Sequence, residues 1–273
     1  MQLAPDEPNA HDSLGLGYQW AGRYDEAIQE YERAIALKPD FEIALVHVAN
    51  VYFQQGRFRA AIDQYQRYLK FAPTDAERTR AYACISIVEL RRGQLESAEQ
   101  AARLGLKYHR TAFGIAYVIA LEKNDVPQAT RLKQELEQYQ SNDRGVRPSL
   151  RPLYYWRGLL ALKTGATADA VDNFKLAVSH RPQAWHLESW EDCLGNAFLQ
   201  LGRVDEAIAE YQRILKLNPN YPLVHFHLAQ AYDRQGLRDQ ARSEYEQFLQ
   251  NWKDADADVP LLKTAKVEYE KLK

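Results

Sequence analysis

The chain has 273 residues, of which 46% are hydrophobic and 26% are charged, and its formal net charge is −2. This near-neutral balance gives no global electrostatic case for nucleic-acid binding, and no apolar run approaches the roughly 20 residues that span a bilayer. The N-terminus lacks a basic start followed by an apolar segment, so we expect no signal peptide and a cytoplasmic location.

The first residues resemble the end of a structural unit found further along the chain. Leu3-Ala4-Pro5 repeats the endings at Leu37-Lys38-Pro39 and Leu217-Asn218-Pro219. We therefore expect the sequence to be a segment of a longer protein. Whether that protein has an N-terminal domain outside this segment is left open.

From there on, a glycine–alanine–aromatic pattern recurs along the chain. An alanine follows each glycine by five residues, and an aromatic side chain usually follows four residues later. The glycines are Gly22, Gly56, Gly93, Gly165, Gly202 and Gly236, and a weaker middle copy supplies Ala129. A fixed period of about 34 residues predicts stacked helix pairs.

Each residue type in the pattern has a physical reason. Glycine suits the left-handed turn between two helices, and alanine suits a close helix crossing. The aromatic side chain lies one helical turn further along the same face and fills the gap towards the next unit. The alanines are Ala27, Ala61, Ala98, Ala170, Ala207 and Ala241, and the aromatics are Tyr31, Tyr65, Phe174, Tyr211 and Tyr245.

This pattern resembles the tetratricopeptide repeat, and the arrangement is similar to tandem repeats of the bacterial type. The first-helix part of that motif is present as Leu14-Gly15-x-x-Tyr18 and Leu194-Gly195-x-x-Phe198. The resemblance implies an all-α fold, an α-solenoid built as a right-handed superhelix of antiparallel helix pairs, with seven repeats. The repeats are placed at about 8–41, 42–75, 79–112, 111–143, 151–184, 188–221 and 222–253.

The middle and the end of the chain depart from the repeat. The stretch from Ser141 to Pro152 is dense in polar residues, glycine and proline, which predicts an irregular connection or hinge. We therefore predict an N-terminal half at 1–143, a linker at 144–152 and a C-terminal half at 153–273. Leu261, Leu262, Ala265, Tyr269 and Leu272 form one apolar stripe, which predicts a capping helix at about 260–272. This tail resembles those of bacterial signalling proteins with an N-terminal kinase, cyclase or winged-helix domain.

No catalytic constellation, metal site or cofactor motif stands out. Asp254, Asp256 and Asp258 imitate half of a calcium-binding loop but lack its glycine and its terminal glutamate. Negative charge before a helix start, where the dipole favours it, is the simpler interpretation. His225 and His227 are two apart in a helix and therefore point to different faces. We expect Cys84 and Cys193 to be small buried thiols.

The resemblance implies that the first helix of each pair lines a concave groove. Such grooves take an extended peptide or an amphipathic helix, anchored by large apolar side chains. Packing between neighbouring helices is the alternative role for Trp20, Phe53 and Tyr155. The candidate partner-binding residues are Trp20, Val46, Asn50, Phe53, Ile87, Arg91, Tyr155, Leu159, Asn196, Phe226 and Gln230.

The expected function is that of a non-catalytic scaffold that binds a protein or peptide of unknown identity in this groove. Chaperone co-factors with such repeats hold a carboxylate with a lysine where this chain has Val46, Tyr155 and Phe226. A receptor for chaperone C-terminal tails is therefore disfavoured, as are nucleic acid and membrane insertion. Two alternatives stay open: a sensor or interaction region of a larger signalling protein, and a homo-oligomerisation module.

Overall fold

The computed structural model describes residues 6–109, 113–142, 150–179 and 191–273, and these residues form helices without strands. The helices are α1 (Pro8–Trp20), α2 (Tyr24–Leu37), α3 (Glu42–Gln54), α4 (Phe58–Phe71), α5 (Asp75–Arg91), α6 (Leu95–Leu106), α7 (Phe113–Glu122), α8 (Val126–Asn142), α9 (Leu150–Lys163), α10 (Thr167–Ser179), α11 (Cys193–Gln200), α12 (Val204–Leu215), α13 (Pro222–Arg234), α14 (Arg238–Asn251) and α15 (Pro260–Glu270).

These helices form seven consecutive pairs followed by one more helix. Each odd-numbered helix from α1 to α13 packs against the helix that follows it, and each pair packs against the next pair. The predicted all-α solenoid is confirmed. The last helix, α15, packs on α14, with Leu262 and Ala265 buried, as expected of a cap.

The turn inside most pairs is a glycine in the left-handed region. The six repeat glycines have φ between 71° and 78°, as their sequence spacing predicts. At Gly22, the amide donates to the Gln19 carbonyl and the next amide, of Arg23, reaches back to the Tyr18 carbonyl, at 3.1 and 2.9 Å. In the fourth pair Asn124 takes this conformation with φ 60°, and Asp125 caps α8 by accepting from the Gln128 amide at 3.0 Å.

The repeat alanines and aromatics form the contact between helices. All seven alanines of the pattern, including Ala129, have an exposed fraction of 0%. The aromatics four residues on are buried as well, and the hydroxyls of the four tyrosines among them donate to side-chain acceptors. Tyr65 donates to Asn50 at 2.6 Å, and Tyr211 donates to Asn196 at 2.7 Å. The pattern is therefore used in packing.

Histidine–carboxylate pairs recur in the first two and the last two units. Within a unit, His11 lies 2.6 Å from Glu30, and His225 lies 2.6 Å from Glu244. Between units, the matching contacts are His47 to Asp12 at 2.8 Å and His227 to Asp192 at 3.3 Å. These contacts fix how one pair is set against the next.

Some boundaries differ from the prediction. The third unit begins at Asp75 instead of 79, because Thr74 and Glu77 form a capping box that starts α5 early. The helix α9 begins at Leu150, inside the predicted linker 144–152, whereas residues 143–149 lie outside the described ranges. Cys193 is buried as expected, but Cys84 is only partly buried, and the two are not joined in a disulfide.

Candidate functional site

A chamber of about 1020 Å³ lies on the inner side of the solenoid, between its two halves. It is lined largely by aliphatic and aromatic side chains. The lining residues are Phe53, Phe58, Ala83, Ile87, Leu90, Arg91, Gly93, Gly114, Ile115, Val118, Leu121, Glu122, Tyr155, Trp156, Leu159, Leu162, Lys163, Gln200, Leu223, Trp252, Val259, Pro260, Leu261 and Thr264.

One wall of the chamber is built by three first helices with the same spacing. Residues four apart on a helix share a face, and each of α5, α7 and α9 supplies three such residues. The rows are Ala83, Ile87 and Arg91; Gly114, Val118 and Glu122; and Tyr155, Leu159 and Lys163. Each row is small, apolar or aromatic for two turns and ends on a charged residue.

The charged residues form a rim. Arg91, Glu122 and Lys163 are the last residues of α5, α7 and α9, and all three are exposed. A cation at a helix C-terminus is favourable and an anion there is unfavourable, so Arg91 and Lys163 complement their helices whereas Glu122 does not. The rim therefore carries charges of alternating sign and a net charge of one positive unit above an apolar floor.

The packing of the floor requires a glycine at position 114 of α7. A Cβ atom on Gly114 would lie 2.2 Å from the Trp156 ring, so the indole of α9 can pack directly on the α7 backbone. Tyr117 donates to the Trp156 carbonyl at 2.5 Å and holds the same two helices together. Burial raises the pKa of Tyr117 well above its usual value, so its hydroxyl stays a donor.

Behind the chamber, Asp192 carries a buried negative charge at the start of α11. Burial alone raises the pKa of this carboxyl, but the hydrogen bond from His227 and the nearby Arg91 outweigh it, so the pKa lies below its usual value. Arg91 of the chamber rim therefore acts on Asp192 through its charge.

The opposite wall comes from the C-terminal end of the chain, which meets the first two helix pairs. Trp252, at the end of α14, donates from its indole to the Gln54 carbonyl at 2.8 Å and packs edge-on against Phe58 at 6.0 Å. The amide of Asp256 donates to the Gly56 carbonyl at 3.1 Å. Asp256 also accepts from the Arg59 amide at 2.9 Å, and Asp258 accepts from the Arg59 guanidinium at 2.7 Å. We call these contacts the latch.

A second set of contacts lies beside the latch. Asn218 donates to the Tyr24 hydroxyl at 3.1 Å, and Asn220 donates to the Gly22 carbonyl at 3.3 Å. Lys253 lies 3.7 Å from Asp25. Both Tyr24 and Asn218 are buried. The two ends of the described solenoid therefore touch, and the inner surface is closed into a ring around the chamber.

The predicted groove residues separate into two groups. Phe53, Ile87, Arg91, Tyr155 and Leu159 are brought together in the chamber lining. The remaining six lie elsewhere, and the structure gives five of them a packing contact or a hydrogen bond within the chain.

Of those six, Val46 and Phe226 are buried, with exposed fractions of 6% and 3%. Asn50 and Asn196 accept from the repeat tyrosines, and Gln230 donates to Glu268 at 3.2 Å. Trp20 is 42% exposed at the end of α1 and is outside the lining.

Sequence reasoning missed the latch, although three residues signalled it. Three residues after the turn glycine, four of the other five glycine-containing units place an acidic residue in the first turn of the second helix, and the fifth has Ala168. The acidic residues are Asp25, Glu96, Asp205 and Asp239, whereas the second unit has Arg59. A cation there opposes the helix dipole. Two residues after the glycine, only the first two units carry an aromatic side chain, Tyr24 and Phe58.

Other classes of site find no support in the described ranges. Among those residues no group of three histidine, cysteine or acidic side chains is placed to hold a metal ion. Asp256 and Asp258, which imitate a calcium loop in sequence, instead accept from Arg59. None of the helices described is both long and apolar enough to cross a membrane.

Comparisons with known proteins match the two ends of the chain. A family model described as TPR repeat matches residues 21–56 and 195–236, and two described as tetratricopeptide repeat match 224–255 and 44–75. Tetratricopeptide repeat protein 6 of Homo sapiens is 32% identical over 59 residues, which is 22% of this chain. Tetratricopeptide repeat protein 14 of Mus musculus is 33% identical over 87 residues, or 32% of this chain. Each match spans 11% of the relative's own length.

Solved structures share the fold over nearly the whole chain. A tetratricopeptide repeat protein from Parabacteroides merdae has a TM-score of 0.53 at 13% identity, over 95% of this chain and 98% of its own. The human IFIT1 dimer with PPP-AAAA has a TM-score of 0.59 at 16% identity, over 97% of this chain and 63% of its own. At these identities the likeness concerns the fold alone.

Proposed function

We propose that this chain, whose two ends match tetratricopeptide repeat models, is a scaffold for protein–protein interaction and that its chamber binds a short segment of a partner protein or peptide. The observation that carries the proposal is the matched rows of α5, α7 and α9, which place an apolar floor beneath a charged rim. Most binding energy at such sites comes from a few apolar or aromatic anchors in a desolvated pocket.

The size of the chamber limits what enters it. Its volume of about 1020 Å³ is at the upper end of the range of roughly 300–1,000 Å³ for pockets that hold one small molecule. One or a few apolar side chains of a partner fit on the floor, and the backbone next to them meets the rim. The rim has two cations and one carboxylate, which favours a peptide of mixed charge over a nucleic-acid backbone.

Selection from a displayed random-peptide library against the folded chain tests this proposal. The double variant Ile87→Ala with Leu159→Ala shortens two floor residues and leaves the rim intact. We expect it to weaken the selected peptides by about tenfold or more, which corresponds to about 1.4 kcal/mol. Titration calorimetry with one synthetic peptide measures the change.

The matched control is Leu217→Ala with Val267→Ala, which shortens two exposed aliphatic residues outside the lining. It should leave the affinity unchanged. Equal affinity of the floor variant and the control would place the peptide outside the chamber. Trp20→Ala separates the chamber from the wider groove predicted from sequence, because it lowers the affinity only if that wider groove is used.

The larger-protein alternative has one observation in its favour. The matched repeats make up 11% of each mammalian relative, so in those proteins such repeats occur within much longer chains. On that proposal the chain is the interaction region of a larger signalling protein, and the chamber serves the same purpose. Sequence adjoining this chain in its gene tests it directly. Sedimentation of the chain tests the oligomerisation alternative, which requires a mass above that of one copy.

A further inference from the structure

One wall of the chamber is part of the chain's own C-terminal end. Trp252, Val259, Pro260 and Leu261 line the chamber together with the floor residues of α5, α7 and α9. An open solenoid leaves its concave surface accessible along its whole length, because each unit contacts only its neighbours. Here the same surface is covered by residues about 200 positions away in sequence, as in the Trp252–Gln54 bond.

The latch is built by specific side chains on both sides. Trp252 is 3% exposed, and it contacts both Phe58 and Phe248. Arg59 is a basic residue at a position where four other units are acidic, and its guanidinium and amide both donate to the Asp256–Asp258 segment. These departures from the repeat lie on the two surfaces that meet, which accidental contact between two turns does not require.

The glycine turns show the same division. A Cβ atom on Gly22 would lie 2.5 Å from Asn218, and one on Gly56 would lie 2.9 Å from Trp252 and Ala255. The equivalent turns at Gly165, Gly202 and Gly236 have nothing within 4 Å. The turns of the first two units are therefore occupied by the C-terminal end, whereas the last three are open.

We infer that the latch is a gate that regulates the chamber: closed, it admits only small groups, and a partner segment enters fully when Trp252 and the Asp256–Asp258 segment release Gly56 and Arg59. This inference rests on the proposed function. A partner that binds only the open ring shifts the chain towards that form. Any change that opens the latch raises the partner's apparent affinity by the factor by which it raises the open fraction of the chain.

The two parts of the latch respond differently to solution conditions. The Arg59–Asp258 ion pair is about half exposed on both sides, so added salt weakens it. The Trp252–Phe58 contact is buried and apolar, and salt does not screen it. The charge pair is therefore the part of the gate that can be changed with least damage to the core.

The test measures access to the chamber with a single thiol and needs no partner. In a background of Cys84→Ala and Cys193→Ala, Ile87→Cys places the thiol on the floor. In the closed ring we expect it to react with iodoacetamide and to react slowly with a maleimide carried on a long polyethylene glycol chain. Arg59→Glu opposes Asp256 and Asp258, and we expect it to raise the rate with the large reagent by about tenfold, within the usual range of coupling between two states.

Three controls make the result specific to the gate. Asp239→Arg reverses a charge at the matching position of the last unit, whose turn is open. It should change neither the rate with iodoacetamide nor the rate with the large maleimide. Arg59→Glu combined with Asp258→Arg restores the opposite charges and should return the slow rate. Val267→Cys, an exposed thiol on α15, should react at the same rate in the closed and the opened protein.

Trp252→Ala is the second opening variant, with circular dichroism as the check that it stays helical. If the large reagent reaches the floor thiol equally fast with and without Arg59→Glu, the chamber is not gated. Failure of the gate is distinct from failure of the site. Peptides that bind the chamber with the same affinity in wild type and Arg59→Glu overturn the gate alone, whereas peptides indifferent to the floor variant overturn the site.

Discussion

At the scale of single residues, the same amino acid in the same turn has different surroundings along the chain. Gly22 and Gly202 both lie in the left-handed region, at φ 71° and 74°. Beside Gly22 stand Asn218 and Asn220, whereas a Cβ atom on Gly202 would meet nothing within 4 Å. The repeat motif requires the glycine for its φ, and the ring closure adds a second requirement in the first units only.

Alanine substitution separates these two requirements. Gly202→Ala should cost about 1–2 kcal/mol, the strain of a left-handed non-glycine residue. Gly22→Ala should cost more, because its methyl group also displaces Asn218 and the bond from Asn220 to the Gly22 carbonyl. Urea unfolding followed by circular dichroism measures both free energies. Equal losses at the two sites would mean that the turn of the first unit is not covered.

At the scale of helices, the units are set against each other by buried polar pairs as well as by the alanine and aromatic positions. Asp192 at the start of α11 reaches His227 of α13, just as Asp12 of α1 reaches His47 of α3. The repeat tyrosines Tyr31 and Tyr211 lie beside these histidines, with ring centroids 5.3 and 6.0 Å apart. A buried polar pair in such a place favours one arrangement of neighbouring helices.

The lowered pKa of Asp192 gives a direction to the acid stability of the chain. The folded pKa lies below the unfolded value of 3.8, so the carboxylate contributes stability at neutral pH. That contribution is lost as the pH falls from about 5 through the folded pKa. Asp192→Asn should therefore lower the thermal midpoint at about pH 7, and its deficit against wild type should shrink at about pH 3.

Asp239→Asn is the matched control, because Asp239 is exposed and lies on α14 away from this pair. Its thermal midpoint should follow that of wild type at every pH. A deficit of Asp192→Asn that stays constant down to acid pH would show that the carboxylate contributes no pH-dependent stability.

Local features of this architecture could be predicted from the sequence, and distant ones could not. The turn at Gly22, the buried Ala27 and the packed Tyr31 depend on neighbours within one period, which the repeat reveals directly. The groove positions were harder to predict, because the side chains of Val46 and Phe226 are buried in the core instead of lining a surface. Whether a residue on the concave side lines the groove or packs between helices depends on the curvature of the solenoid. This curvature accumulates from a small rotation at each unit.

The latch escaped prediction for a related reason. Arg59 and Asp258 are 199 residues apart, and no period relates them. Their departure from the repeat could be read in the sequence, but their meeting depends on the total turn of the units between them. The chamber was therefore predicted as a surface on one side of the solenoid, with five of its lining residues named, and without the wall that faces them.

At the scale of the whole molecule, ring closure changes how the units depend on one another. In an open solenoid, stability is the sum of unit stabilities and nearest-neighbour contacts, so unfolding can begin at either end. Here the first two units and the last two also contact each other, and buried residues from both halves belong to one hydrophobic cluster. Each end protects the other.

Trp252→Ala should therefore affect both ends. We expect the free energy of unfolding to fall by about 3–5 kcal/mol, as for other large aromatic residues truncated in a core. We also expect faster amide hydrogen exchange in α1–α4 as well as in α14. Phe71→Ala, which shortens a side chain that is 41% exposed, should cost about 1 kcal/mol or less. Protection of α1–α4 that is unchanged in Trp252→Ala would show that the first units are stable without the latch.

Ring closure also has a consequence for synthesis on the ribosome. Tyr24 is covered by Asn218, which follows it by 194 residues, and Phe58 is covered by Trp252. At a translation rate of about 5–20 residues per second, the side chains of Tyr24 and Phe58 stay uncovered for roughly 10–40 seconds before the residues that cover them are synthesised. We therefore expect the first two units to expose apolar surface that a chaperone can bind during synthesis, and weakening the latch extends this exposure to the finished protein.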